Sequence, residues 1–106
     1  FGPGTPVNRV ATVSAGVLSS LGAKHIGVDG TSAPTINSIS NGVTGQVLSI
    51  SNTAAGAGNI TFTYNATLLR LAGSVNLVLT PGSTVTLMCM NMVSPVLWRE
   101  LSRSIA

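Results

Sequence analysis

The sequence predicts an all-β fold: a small antiparallel β-sandwich of jelly-roll-like form. Three observations predict it. Short apolar runs alternate with polar residues at period two, most clearly in Ile60-Thr61-Phe62-Thr63-Tyr64. Turn signals such as Asn41-Gly42, Thr44-Gly45 and Pro81-Gly82 recur, at about the 8 to 12 residue spacing of a sandwich or barrel. Charged side chains make up only 7% of the 106 residues, against about 25% in an ordinary soluble domain. Ser, Thr, Asn and Gly must therefore carry the polar surface. A chain of this length fits one domain and should bury roughly two thirds of its extended surface, enough for a single core.

Residues 1–30 read as an N-terminal connector and residues 31–106 as the sandwich module. Gly2-Pro3-Gly4-Thr5-Pro6 has linker composition, and the start at Phe1 rather than Met suggests a piece of something longer. Within Val7 to Leu21, the spacing of Val10, Val13, Val17, Leu18 and Leu21 is near-helical. The β-branched content and Gly16 favour an extended path with a bend, and both readings stay open. Gly27 to Pro34 reads as a loop.

Strands follow in order. Thr35 to Ile39 is short. Gln46 to Ser51 sets Leu48 and Ile50 on one face and Val47, Ser49 and Ser51 on the other. Asn52 to Gly58 is a Gly/Ala loop. Asn59 to Tyr64 turns Ile60, Phe62 and Tyr64 inward. Leu68 to Leu71 puts Leu69 and Leu71 opposite Leu68 and Arg70. Val75 to Thr80 turns Val75, Leu77 and Leu79 inward before the Pro81-Gly82 turn. Ser83 to Asn91 alternates Val85, Leu87 and Cys89 with Thr84, Thr86, Met88 and Met90. Its later part is apolar on both faces, and such a strand needs cover on both. In a small chain that cover comes from a second layer or a partner chain. Val96 to Ser102 carries the single Trp.

Composition excludes several functions. The net charge of +3 comes from Arg9, Lys24, Arg70, Arg99 and Arg103 against Asp29 and Glu100. These are too dispersed for the basic stripe of a nucleic-acid binder. The uncharged stretch from Leu71 to Trp98 is interrupted by Pro81, Gly82, Asn91 and Pro95, which opposes a spanning helix. A lone hairpin could not close its own edges in lipid. One His, one Cys and two acids scarcely make a metal site, and no cofactor is expected. Cys89 has no disulfide partner and reads as a small buried hydrophobe. Asp29 and Glu100 are the only acid pair, and nothing in the sequence brings them together for glycoside chemistry. His25, beside Lys24, reads as a solvated loop histidine without a partner to position it as a base. Gly56-Ala57-Gly58 precedes a strand and reads as a flexible turn. No catalytic residue is assigned.

Two groups of residues invite a binding or structural role. Tyr64, Asn65 and Trp98 offer the aromatic and amide groups that suit carbohydrate, although Trp98 between Leu97 and Leu101 suits packing better. Arg70 and Glu100 lie on apolar strands where a lone charge is costly to bury. A structural Arg70–Glu100 contact, within or between chains, is the expected solution.

An ordered series of segments then resembles a known family. It runs Gly45-Gln46-x-Leu48-x-Ile50, Ile60-Thr61-Phe62 and Leu69-Arg70-Leu71-Ala72-Gly73. It continues through Leu77-x-Leu79-x-Pro81-Gly82-Ser83-Thr84-Val85-Thr86-Leu87 to Trp98-Arg99-Glu100-Leu101-Ser102-Arg103-Ser104. The order is similar to the C-terminal β-domain of bacteriophage tailspikes and tail fibres, which often follows a pectate-lyase-type β-helix. It covers roughly Thr35 to Ser104. The resemblance implies a homotrimer in the virion, non-catalytic in itself, that promotes assembly and supports attachment to bacterial surface polysaccharide. An autonomous carbohydrate-binding module is the alternative. In either case no nucleic acid and no membrane insertion are expected.

Overall fold

The computed structural model describes residues 8–10 (backbone), 13–20, 23–93 and 95–106. Alternation decides which face of each strand is buried. In β6 (Val47–Asn52), Leu48, Ile50 and Asn52 are buried while Val47 is exposed. In β10 (Thr84–Asn91), Val85, Leu87 and Cys89 are buried and Met90 is exposed. In β7 (Ile60–Phe62), Ile60 and Phe62 point inward, and in β9 (Leu77–Leu79) Leu77 and Leu79 do. Val75 does not join them: it is exposed, directly after a 3-10 turn at Ala72–Ser74, and β9 begins only at Leu77.

The remaining strands are β1 (Asn8–Val10), β2 (Val17–Ser19), β3 (His25–Val28), β4 (Thr35–Ile36), β5 (Ser38–Ser40), β8 (Leu69–Arg70) and β11 (Leu97–Ser104). Six strands form one sheet in the order β1-β3-β6-β10-β11-β8. Opposite stand a three-stranded sheet, β4-β7-β9, and a two-stranded sheet, β2-β5. Leu18, Ile26, Ile36, Ile39, Phe62, Leu79, Leu87 and Trp98 from all three sheets meet in one core. Each such side chain removed from water stabilises the fold by about 1.5–3 kcal/mol before entropy is counted.

The architecture is all-β and sandwich-like, but its sheets are mixed, not antiparallel. Among the described residues β1–β3, β3–β6, β2–β5, β4–β7 and β8–β11 pair in parallel. Of the strand pairs among the described residues, β6–β10, β10–β11 and β7–β9 are antiparallel. The physical reason is a coiled path. From β3 in the large sheet the chain passes through β4 and β5 in the two smaller sheets, then returns to the large sheet as β6. Each return along this part of the chain runs in the same direction as before, so β2–β5, β3–β6 and β4–β7 are parallel. Ile26 lies beside Ile50, Leu18 beside Ile39, and Ile36 beside Phe62. Parallel neighbours need a crossover, and here further strands supply it instead of a helix.

Two expectations about the N-terminal part are corrected by this path, and one open reading is resolved in its described part. Residues 1–30 are not merely a connector, because β3 sits between β1 and β6 with Ile26 and Val28 buried. The described part of 7–21 holds the strands β1 and β2 and no helix. Val7, Leu21 and the Gly2–Pro6 stretch lie outside the described residues. His25 is on β3 rather than in a loop, with Nε2 2.8 Å from Ser51 Oγ. Its flanking glycines gave the segment a loop-like composition, while the register with β6 is set by residues far along the chain.

Asn52 ties the layers together. Its Oδ1 accepts from the backbone N–H groups of Gly30 and Ala54, each at 3.0 Å. Its Nδ2 donates to the carbonyls of Gly58 and Leu79, each at 2.9 Å. The amide thus uses both donors and two acceptor positions, which makes its burial at 2% exposure tolerable. Gly30 and Gly58 approach so closely that a Cβ on Gly58 would overlap the Gly30 carbonyl.

Candidate functional site

Trp98 is core, not platform. Its exposure is 0%, and Nε1 donates to the Ile39 carbonyl at 3.1 Å. Gly42 lies flat against the indole, where a Cβ would come within 2.6 Å of Cζ2. No sugar ring can reach it, so the carbohydrate-stacking role considered for Trp98 is withdrawn. Apolar neighbours on both sides in sequence had already pointed to packing.

The Arg70–Glu100 pair does not form within the chain. Glu100 is bound by Arg103, three residues along the same strand, at 2.6 Å and 2.7 Å. Its Oε1 also accepts from the Ala72 N–H at 2.9 Å. Arg70 instead donates from Nε to the Ala66 carbonyl at 3.0 Å. A bulge in β11 near Leu101 changes the register against β10, and strict alternation could not anticipate it. Burial pushes the Glu100 carboxyl up, but the hydrogen bonds from Arg103 and Ala72, with the Arg103 charge, bring it below its ordinary value.

Asn65 is exposed and organises a turn. Its Oδ1 accepts from the N–H groups of Thr67 and Leu68, and its main chain pairs with Leu69. The side-chain oxygen is therefore engaged locally, as in an Asx turn. Tyr64 is half-buried, packs against the edge of the core, and opens on a cleft.

That cleft, about 340 Å³, is lined by Tyr64, Arg70, Leu71, Ala72, Ser74, Arg99 and Glu100. It brings together three of the residues singled out from sequence, Tyr64, Arg70 and Glu100, and adds Arg99. Arg99 lies directly beside Arg70 in the parallel pair β8–β11. Their partners Leu69 and Trp98 are buried, so both arginines project from the opposite face and are exposed. Asp29, the other acid, accepts from the Thr31 hydroxyl and N–H at its own site, which hold its carboxyl below the usual value. Among the described residues no carboxylate neutralises Arg70 or Arg99. Sequence alternation placed Arg70 outward, but the pairing that sets Arg99 beside it is not local.

A larger cleft, lined by Ala23, Lys24, Val43, Gly45, Gln46 and Val47, is mainly apolar. Gln46 closes it internally, donating to the Ala23 carbonyl and accepting from the Val43 N–H. Exposed apolar residues continue from it. The segment 43–47 lies alongside 88–92, joined by Gly45 to Cys89 and Met92 to Thr44 hydrogen bonds. Val43, Val47, Met90, Met92 and Val93 are exposed on these two neighbouring segments.

Among the described residues no three His, Cys, Asp or Glu side chains gather into a metal site, and no helix is long and apolar enough to cross a membrane.

The sequence matches the family described as the phage depolymerase C-terminal beta sandwich domain over residues 9–90. The match covers most of the chain, and the protein belongs to that family. It begins within β1, so the N-terminal strands are part of the family's domain. No curated protein matches the chain.

Proposed function

We propose that this domain is a non-catalytic module of a phage tailspike or tail fibre, resident in the virion, that forms a homotrimer and contributes to attachment to the host cell surface. The observation that carries the reading is the family match over residues 9–90. The scarcity of acids agrees with it, since Glu100 and Asp29 are each engaged in local hydrogen bonds and are far apart in sequence. The apolar group of Val43, Val47, Met90, Met92 and Val93 supports self-association, because contiguous exposed apolar surface marks interaction sites. A closed ring of copies covers such a patch without leaving an open sticky end. Sedimentation at micromolar concentration tests the assembly: a trimer is expected, and a stable monomer overturns that part.

A second reading, an autonomous module for bacterial surface polysaccharide, is favoured by one observation. Tyr64 opens on a polar cleft with two arginines and a serine. Binding of host polysaccharide by the trimer, lost on changing the cleft while the trimer persists, would establish it.

A further inference from the structure

We propose that the cleft bounded by Tyr64, Arg70, Arg99 and Ser74 is a subsite for the carboxylate of an acidic sugar. The inference rests on the surface-attachment reading and names the class of saccharide it would involve.

The argument starts from an electrostatic mismatch. Arg70 and Arg99 are in-register neighbours on β8 and β11, on one face of the sheet. Like charges placed directly beside each other in a sheet are destabilising. A fold short of acids could have removed the repulsion by pairing one arginine with Glu100, which lines the same cleft. Instead Glu100 is taken by the fork of Arg103, and its remaining reach by the Ala72 N–H. Of the two arginines, only Arg70 has an acceptor among the described residues, its Nε donating to the Ala66 carbonyl. That bond fixes the guanidinium at one nitrogen and leaves its outer nitrogens for a ligand. The result is one guanidinium held in place, a second in register beside it, and a neighbouring carboxylate that has already been satisfied.

Guanidinium groups match carboxylate oxygens two by two. Beside them the half-buried Tyr64 offers an apolar ring with a polar tip, suited to the face of a pyranose. Ser74 lines the same space, and its hydroxyl is a further donor or acceptor for a ligand there. A volume of about 340 Å³ suits one sugar residue of a longer chain, being near the lower end of the roughly 300–1,000 Å³ range of ligand pockets. Carboxylate on the arginines and ring on the tyrosine can thus be met by a single uronic acid.

The test uses the full-length protein and oligogalacturonate of defined length as probe, with its methyl ester, acetate and inorganic phosphate as controls. Arginine Nε–Hε resonances are followed by NMR, and affinity is measured by calorimetry at two salt concentrations. Saturable shifts at Arg70 and Arg99 with the acid, absent with the ester, are expected. Arg70→Gln with Arg99→Gln should weaken binding at least tenfold and leave the melting temperature near that of the parent. Acid and ester binding alike would overturn the proposal, as would phosphate or acetate matching the oligosaccharide. Its failure differs from failure of attachment itself. Host cells held equally by parent and double variant, with no uronate response in the parent, overturn the cleft and leave attachment standing.

Discussion

Both carboxylate oxygens of Glu100 are gripped by the Arg103 fork, at 2.6 Å from Nε and 2.7 Å from the terminal nitrogen. The Glu100 side chain is only 3% exposed and that of Arg103 32%. Burial alone would raise the Glu100 carboxyl, yet the hydrogen bonds from Arg103 and Ala72 leave it below 4.5. The folded state therefore binds this proton less readily than the unfolded chain. The pair's stabilisation is present above about pH 4.5 and fades as pH falls through the depressed value. Glu100→Gln should cost about 1–2 kcal/mol at neutral pH and flatten the acid limb of stability. Asp29 is lowered too, so the Glu100 share is the difference between variant and parent in urea titrations at pH 7 and pH 3. Parallel losses on acidification would remove the assignment.

Arg70, by contrast, contributes little to folding. It is exposed and its one internal bond is to a turn carbonyl. Arg70→Leu should change stability by no more than about 0.5 kcal/mol. A large drop in melting temperature would mean that Arg70 meets an acid in the assembled protein.

Trp98 provides an optical check on the core. As the single Trp, fully buried, it should emit at short wavelength and resist iodide quenching, with or without saccharide. Trp98→Phe leaves the Ile39 carbonyl without its donor and should cost about 1–3 kcal/mol. Gly42→Ala should also destabilise, since its new methyl meets the indole and the Cys89 sulfur. A red-shifted, quenchable emission from the native protein would contradict this placement.

Replacing Asn52 tests the junction of the sheets. Asn52→Leu leaves two N–H groups and two carbonyls without their partner, and at about 1–3 kcal/mol for each buried orphan the domain should lose most of its stability. Soluble, cooperatively unfolding Asn52→Leu protein with a parent-like midpoint would show that water replaces the amide.

Cys89 should be chemically silent until the domain opens. Its burial pushes the thiol up, only partly offset by a backbone hydrogen bond at Asn91, and the thiolate is the reactive form. Aromatic disulfide reagents should label it at the rate of unfolding. Rapid labelling of native protein at neutral pH would count against a closed core.

Much of this was legible in residue order, and the remainder was hidden for one physical reason. Leu48 and Ile50, Ile60 and Phe62, and Val85, Leu87 and Cys89 declared their inward faces by alternation alone. Alternation does not say which strand lies alongside, nor in which direction it runs. The parallel neighbours of β3 and β6, and the meeting of Arg70 with Arg99, depend on partners distant in the chain. His25 and Val75 show the cost locally: one was hidden by glycine-rich flanks, the other stands directly after a turn. The cleft was half visible, since Tyr64, Arg70 and Glu100 stood out as residue types, but Glu100's true partner lay across a bulge.

The coiled path has a consequence for how the domain can vary. Walls stack residue on residue, Ile26 on Ile50 and Ile36 on Phe62, although the chain takes a different length to return to each wall. Corners therefore absorb the differences. An insertion in the exposed corner at 55–57 leaves the stacked faces in place, whereas a single residue added inside β6 turns every later core side chain of that strand outward. Homologous domains can be expected to differ in length at their corners while their walls stay constant.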